Sequence, residues 1–163
     1  MSSVTNGKAK PLVDINNKNF IDYVLENLSG FDITLVCSEL NYDQFVEYEA
    51  CGISVMNEGS LSGTGGFLQK VDLPESFYVI NGDTFYSGQL NLDCDESTIF
   101  VVEEEVTSDV GYIEGEEGKV QYFVEKDSGA YGKKLVSLGI YKLYRDEIEL
   151  PNKLPISMEY DIL

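Results

Sequence analysis

Apolar positions in the first part of the chain alternate between helical spacing and short continuous runs. The stretch NKNFIDYVLENL places apolar side chains at helical intervals from Phe20 to Leu28, which predicts an amphipathic helix with Asn16 or Asn17 as its N-cap. The runs FDITLVC, GISVM and SFYVIN predict three buried strands. NYDQFVEYEA predicts a short helix begun by Asn41, and GTGGFLQKV predicts a helix that opens at its glycines. This alternation favours a parallel sheet with covering helices.

The second part of the chain has the pattern of strands separated by turns. The segments STIFVVEEE, VGYIEG, KVQYFVEK and KLVSLGIYKLY predict strands, and GEEGK, from Gly115 to Lys119, resembles a hairpin connection. We therefore predict one domain, residues 1–163, with an α/β half (1–97) and a β-rich half (98–163) that share one mixed sheet.

Composition and charge exclude several classes of function. The chain has 163 residues, of which 43% are hydrophobic and 25% are charged, which is an ordinary globular composition. Its net charge of −18 repels phosphate backbones and anionic lipid, so we expect neither nucleic acid nor a membrane as a partner. There is no histidine, which excludes histidine-based acid–base catalysis and histidine metal sites.

Cysteine usage and hydropathy favour a cytoplasmic location. The three cysteines form no C-x-x-C pair, and Cys37 and Cys51 lie in or beside apolar segments, so we interpret them as buried free thiols. Free thiols are typical of a reducing compartment. The N-terminal stretch MSSVTNGKAK lacks the apolar core of a signal peptide, and no apolar run approaches the length of a membrane span.

Two features around the run SFYVI could build a ligand site. Gly63-Thr64-Gly65-Gly66 opens a predicted helix, where glycines permit close approach of a ligand to the backbone. Asp83 follows a predicted strand, and carboxylates at the carboxyl ends of strands can hold Mg²⁺ on a phosphate. Each feature alone is also compatible with an ordinary loop or turn.

Six short segments extend these two features along nearly the whole chain: KAKPLVDINNKNFIDYVLENL, LSGTGG, YVINGDTF, YFVEKD, LVSLGIY and ISMEYDIL. In this order and spacing they resemble the patterns P-K-P, L-G-T-G/A-G, N-G-D, F-x-E-K-P, N-A-G-I-Y and S-x-E-x-D-x-L of the sugar-1-phosphate nucleotidylyltransferase family, within the nucleotide-diphospho-sugar transferase superfamily. The stretch SVTNGKAKPLVDINNKNF is most similar to the branch that makes GDP-heptose and GDP-mannose type products.

The resemblance implies a three-layer α/β/α, Rossmann-like mixed sheet and a specific set of site residues. It implies a phosphate contact for Lys10, Mg²⁺ binding by Asp83, and catalytic roles for both together with Lys126. It also implies that the glycine cluster, which is Gly63, Thr64, Gly65 and Gly66, packs against the nucleobase. Finally, it implies that the sugar phosphate is contacted by Gly111, Glu125 and Lys126.

The implied reaction joins an NTP and a sugar-1-phosphate into a nucleotide sugar and releases pyrophosphate, for the biosynthesis of polysaccharides. Such chemistry depends on charge neutralisation and alignment more than on a proton-transferring side chain. A protein without histidine can therefore perform it, with Mg²⁺ as the cofactor.

Departures from the family pattern leave alternatives open. The G-x-G-T-R loop and a late metal-binding aspartate are absent, and Ser137 replaces the asparagine of N-A-G. We expect a fragment with little activity alone, a compact homologue, or a noncatalytic homologue that binds a nucleotide sugar or regulates an active partner. A homo-oligomer also stays open. A glycosyltransferase with a D-x-D motif at Asp93-Cys94-Asp95 is disfavoured, because these residues are expected in a polar loop.

Overall fold

A computed structural model describes residues 7–60, 62–87, 94–106, 111–124 and 131–163. The chain divides into two compact units. The first unit comprises Met1–Asp72, Gly82–Leu90 and Leu150–Asp161. The second unit comprises Leu73–Asn81, Asn91–Glu149 and Ile162–Leu163. No helix within the described ranges is long and apolar enough to cross a membrane.

The first unit contains one α-helix and a pair of parallel strands. Helix α1 spans Phe20–Asn27, and strands β1 (Thr34–Ser38) and β2 (Ser54–Gly59) pair in parallel. The N-cap of α1 is Asn19 rather than Asn16 or Asn17. Asn19 forms a reciprocal capping box with the third helical residue, which satisfies two backbone N–H groups at the helix start.

Short helical turns complete the first unit. The segment predicted as one short helix forms two 3-10 turns, Tyr42–Gln44 and Val46–Cys51. Phe45 and Tyr48 are both buried, and a spacing of three residues places two side chains on one line in a 3-10 turn. The remaining turns are Lys10–Leu12, Gly66–Gln69 and a π-helical turn at Met158–Ile162.

The core of the first unit lies between α1 and the parallel strands. Seven buried residues form it: Ala9, Leu12, Ile21, Val24, Cys37, Phe45 and Tyr48. Burial is the main cause that raises the pKa of the Tyr48 hydroxyl to about 12, and its hydrogen bond to Asp22 adds to the shift. Both free thiols were expected to be buried, but Cys51 is exposed because it ends a surface turn.

The second unit is an antiparallel sheet organised around one long strand. Strand β7 pairs with β3 at one end and with β4 along most of its length, and β5 and β6 form a hairpin beside it. The five strands are β3 (Ser76–Ile80), β4 (Thr98–Val106), β5 (Tyr112–Glu116), β6 (Lys119–Val124) and β7 (Gly132–Tyr144).

The mixed α/β character was predicted correctly, but the single sheet was not. The described residues form a two-stranded parallel sheet and a separate five-stranded antiparallel sheet. The run SFYVI was expected beside the parallel strands, and instead it pairs antiparallel with β7. Within the described part of the chain, no strand hydrogen-bonds to both sheets, so the two sheets share no ladder. The three-layer arrangement and the boundary at residue 97 stay predictions.

Candidate functional site

Two of the predicted site residues meet in the first unit. Lys10 begins the 3-10 turn Lys10–Leu12, and Asp83 follows Gly82 directly after the β3 segment. The Lys10 Nζ lies 3.6 Å from Asp83 Oδ2. Pro11 packs over Gly82, where an added Cβ would lie 3.3 Å from the proline Cγ. The fold therefore brings two residues from distant parts of the sequence into one ion pair.

This ion pair is accessible to a ligand. The side chains of Lys10 and Asp83 are 66% and 54% exposed. Pairs this exposed contribute only about 0–1 kcal/mol to stability, so folding alone gives little reason for the arrangement. The lysine supplies a local positive charge on a chain of net charge −18, which a phosphate ligand requires.

Asp83 fits a magnesium ion that is shared with a phosphate. Among the described residues, no group of three or more metal-ligating side chains gathers at one point. A cage made of protein ligands alone is therefore not present there. Mg²⁺ commonly uses one or two carboxylates and completes its shell with water and substrate phosphate oxygens. A single exposed carboxylate beside an exposed lysine is compatible with that kind of site.

The glycine cluster Gly63–Gly66 is held by the C-terminal segment of the first unit. Gly63 has φ +83°, and a Cβ there would lie 2.2 Å from the carbonyl oxygen of Ile156. The Ile156 carbonyl accepts a hydrogen bond from the Gly65 N–H at 2.9 Å, and the Ile156 N–H donates to the Ser62 carbonyl at 2.8 Å. Glycine is required at position 63 because a backbone, rather than a ligand, approaches it there.

The glycine cluster also packs tightly against itself. A Cβ at Gly66 would lie 2.3 Å from the Ser62 Cβ, and Ser62 is only 1% exposed. The Ser62 hydroxyl donates to Glu58 at 2.6 Å, so its burial leaves no polar atom without a partner. The helix predicted to open at these glycines is the four-residue 3-10 turn Gly66–Gln69. Such a short turn provides no substantial helix dipole for an anion.

Thr64 is the exposed side chain of the glycine cluster. Its Oγ1 accepts the Met158 N–H at 2.9 Å and donates to Glu159 Oε2 at 3.4 Å. Ile156 and Met158, which are 0% and 2% exposed, anchor the segment that makes these contacts. The resemblance to S-x-E-x-D-x-L marked this segment in the sequence, but no role was predicted for its residues.

The predicted sugar-phosphate residues belong to the second unit. Gly111 immediately precedes β5, and a Cβ there would lie 3.3 Å from the carbonyl oxygen of Val124, which leaves little room for a side chain. Val124 ends β6, and Glu125 and Lys126 lie outside the described residues. The roles predicted for Glu125 and Lys126 therefore stay predictions.

A bulge in β7 involves Ser137, which sequence reasoning had noted only as a departure from the family pattern. Gly139 has φ +65°, and a Cβ there would lie 2.5 Å from the Asn81 Nδ2. The Asn81 N–H donates to the Gly139 carbonyl at 2.9 Å, and the Gly139 N–H donates to the Ser137 Oγ at 3.0 Å. Ser137 thus supports the glycine of the N-A-G position through its hydroxyl, and the asparagine of N-G-D packs on that glycine.

Only Cys94 and Asp95 of the D-x-D string Asp93-Cys94-Asp95 lie within the described residues. Asp93 lies outside the described residues, and Asp95 is exposed in a bend before β4. The Cys94 carbonyl accepts hydrogen bonds from the buried Lys142 ammonium and from the Tyr144 hydroxyl, the latter at 2.7 Å. The hydrogen bond with Tyr144 is the main cause that raises the pKa of Lys142. The Lys142 side chain thus holds the backbone of this bend in place.

Comparison with known proteins extends these observations. The chain is 32% identical over 169 residues to the probable mannose-1-phosphate guanylyltransferase 3 of Arabidopsis thaliana, covering 86% of this chain and 51% of the relative. It is 29% identical over 159 residues to the D-glycero-alpha-D-manno-heptose 1-phosphate guanylyltransferase of Campylobacter jejuni, covering 90% of this chain and 71% of the relative. The crystal structure of HddC from Yersinia pseudotuberculosis complexed with GMP-PN matches with a TM-score of 0.70 and 26% identity, covering 93% of this chain and 74% of HddC.

The chain is a distant homologue of the sugar-1-phosphate nucleotidylyltransferases. The recognition from six short segments is thereby confirmed, and the structural match shows the nucleotidyltransferase fold. No family model matches the chain. The chain spans about half the length of the Arabidopsis relative, 51%, so the activity of the full-length relatives does not transfer to it directly.

Proposed function

We propose that this homologue binds GTP and a mannose- or heptose-type sugar-1-phosphate and forms a GDP-sugar with release of pyrophosphate. The observation that carries the proposal is the Lys10–Asp83 ion pair, which places a cation and a carboxylate 3.6 Å apart at an accessible surface. The choice of GTP follows the names of the relatives, two of which are guanylyltransferases. Free cysteines are consistent with a cytoplasmic reaction.

The proposed step is an in-line displacement at the α-phosphorus of the nucleotide. A phosphate oxygen of the sugar-1-phosphate forms the new bond to this phosphorus while the bond to the bridging oxygen of the β-phosphate breaks, and pyrophosphate leaves. Lys10 binds the phosphates and offsets the charge that develops on them. Asp83 would hold Mg²⁺, which when bound would supply further neutralisation of the phosphate charge.

The glycine cluster is the proposed base-binding element. Its compact backbone leaves the Thr64 side chain exposed while Gly65 and Gly66 are buried, so the Thr64 hydroxyl is the side-chain group of the cluster that a base could contact. Small-molecule sites typically fix the orientation of a ligand with a small number of such polar groups. The roles of Gly111, Glu125 and Lys126 at the sugar phosphate are proposed on the resemblance alone.

We expect turnover by the 163-residue chain to be slow. Its single arginine, Arg145, lies in the second unit, where its guanidinium donates to the Leu73 carbonyl at 3.2 Å. This guanidinium is therefore engaged by the backbone of its own unit, and the arginine of the family pattern G-x-G-T-R has no counterpart among these 163 residues. Loss of one preorganised donor to a developing charge typically lowers the rate by about a hundred- to a thousandfold.

The test measures pyrophosphate release from the four common NTPs with mannose-1-phosphate and a heptose-1-phosphate. We expect slow release that prefers GTP and that Asp83→Asn abolishes, while the exposed Asp72→Asn variant retains it. GTP binding without any pyrophosphate release would instead favour the noncatalytic nucleotide-binding homologue. A rate that is equal in both variants would show that Asp83 plays no part in the reaction.

A further inference from the structure

The C-terminal segment of the first unit has no role in the reaction described above. It carries three polar side chains at alternate positions, namely Ser157, Glu159 and Asp161. All three are half-buried, and each makes a hydrogen bond or ion pair inside the first unit. These contacts attach the segment to the rest of the first unit.

Asp161 fixes the turn that presents Glu159. The Asp161 Oδ2 accepts the Ser157 N–H at 2.9 Å, and its Oδ1 lies 2.6 Å from the Lys153 Nζ. The Lys153 ammonium is the main cause that lowers the pKa of the Asp161 carboxyl, and the Ser157 N–H adds to the effect. This carboxylate thus closes the π-helical turn Met158–Ile162 onto the residues before it.

Glu159 is oriented toward the glycine cluster. Its Oε2 accepts from the Ser157 hydroxyl at 3.1 Å and from the Thr64 hydroxyl at 3.4 Å. An ionised carboxylate can only accept hydrogen bonds, so the Thr64 proton points to Glu159. The Met158 N–H at 2.9 Å uses one lone pair of the Thr64 oxygen, and the second lone pair remains for a ligand.

We propose that Glu159 is a positioning residue, which fixes the exposed Thr64 hydroxyl as a hydrogen-bond acceptor toward a bound nucleotide. This inference rests on the proposed function, because it takes the glycine cluster as the base-binding element. A hydroxyl held in this way accepts from an N–H group of a base, such as those on the Watson–Crick edge of guanine. It repels a group that can only accept.

A double-mutant cycle on GDP binding tests the inference. Calorimetry compares the wild type with Glu159→Ala, Thr64→Val and the double variant. The charge-matched control is Glu149→Ala, because the Glu149 side chain is exposed and forms no ion pair with any described residue. We expect Glu159→Ala and Thr64→Val each to weaken GDP binding by about two- to tenfold, the effect of one hydrogen bond. The double variant should be no weaker than Thr64→Val alone, because Glu159 acts through Thr64.

Two further measurements distinguish a positioning role of Glu159 from a role in the stability of the fold. Glu159→Gln keeps an acceptor oxygen, so it should restore most of the affinity that Glu159→Ala loses. Melting temperatures of all variants show whether the loss of affinity follows a loss of stability. Additive losses in the double variant, unchanged affinity in Glu159→Ala, or losses that merely follow the melting temperature would each overturn the inference. If the wild type binds no nucleotide at all, both the inference about Glu159 and the proposed function are wrong.

Discussion

Gly63→Ala is the most informative perturbation of the contact between the glycine cluster and the C-terminal segment. The variant acquires a Cβ 2.2 Å from the Ile156 carbonyl oxygen, and it must keep a φ of +83°. A left-handed conformation costs an alanine about 1–2 kcal/mol. Displacement of a packed backbone typically costs a further 1–3 kcal/mol or so. We therefore expect a loss of about 2–5 kcal/mol in the free energy of unfolding.

Gly52→Ala is the matched control, because the two glycines differ only in their surroundings. Gly52 has φ +80°, and nothing lies within 4 Å of an added Cβ. Both residues belong to the first unit, so each variant perturbs the same folding unit. The control should lose about 1–2 kcal/mol, the cost of the backbone conformation alone.

Urea denaturation of both variants measures the difference directly. We expect Gly63→Ala to be less stable than Gly52→Ala by about 1–3 kcal/mol, with similar dependence on urea concentration. Equal losses in the two variants would refute the close approach of Ile156. So would a Gly63→Ala variant as stable as the wild type, because it would show that the backbone at position 63 has room for a side chain.

Two further predictions concern single side chains of the first unit. Burial is the main cause that raises the pKa of the Cys37 thiol to about 11. Alkylation by iodoacetamide at about pH 8, followed by peptide mapping, should therefore modify the exposed Cys51 far faster than Cys37. Rapid modification of Cys37 in the native protein would contradict its burial. The pKa of the Asp161 carboxyl is lowered in the folded protein, so its ion pair with Lys153 stabilises the fold fully at pH values above the ordinary pKa of a carboxyl, about 4. This stabilisation is lost as the pH falls through the lowered pKa. The difference in melting temperature between wild type and Asp161→Asn should therefore persist from neutral pH down to about pH 4 and close below it; a difference that does not vary with pH would exclude this mechanism.

Features of the fold could be predicted from the sequence where they depend on the residues of a single helix or strand. The apolar spacing that begins at Phe20 predicted α1 to within one residue of its observed end, and the run SFYVI predicted β3. The cap of α1 was misplaced because asparagines at positions 16, 17 and 19 all suit a helix start. Only Asn19 lies three residues before an aspartate that can complete the capping box.

Features set by pairs of distant segments were not predictable from periodicity. Whether SFYVI joins parallel or antiparallel neighbours depends on which strand lies beside it, and apolar runs do not carry that information. The glycines at positions 63–66 indicated that a ligand or another segment approaches the backbone there, but the sequence did not indicate that this segment is Ile156. Lys142 lies within a predicted strand, and its burial depends on acceptors such as the Cys94 carbonyl that come from elsewhere in the chain.

The candidate site was predictable only through the resemblance to a family. Lys10 and Asp83 are ordinary surface residues when each is taken alone, and only the order of six short segments assigned both of them catalytic roles. The structure brings them to 3.6 Å. Glu159 was missed because the S-x-E-x-D-x-L pattern was used to recognise the family and not to ask what each carboxylate contacts.

The most direct test of the proposed site is calorimetric titration of GTP with and without Mg²⁺. Against a net charge of −18, a triphosphate near Asp83 needs a cation between them. The wild type and the Asp72→Asn control should bind GTP more tightly when Mg²⁺ is present, and Asp83→Asn should lose most of that gain. Equal affinity of the wild type and Asp83→Asn for GTP in Mg²⁺ would contradict the assignment and leave Asp83 as a turn residue paired with Lys10.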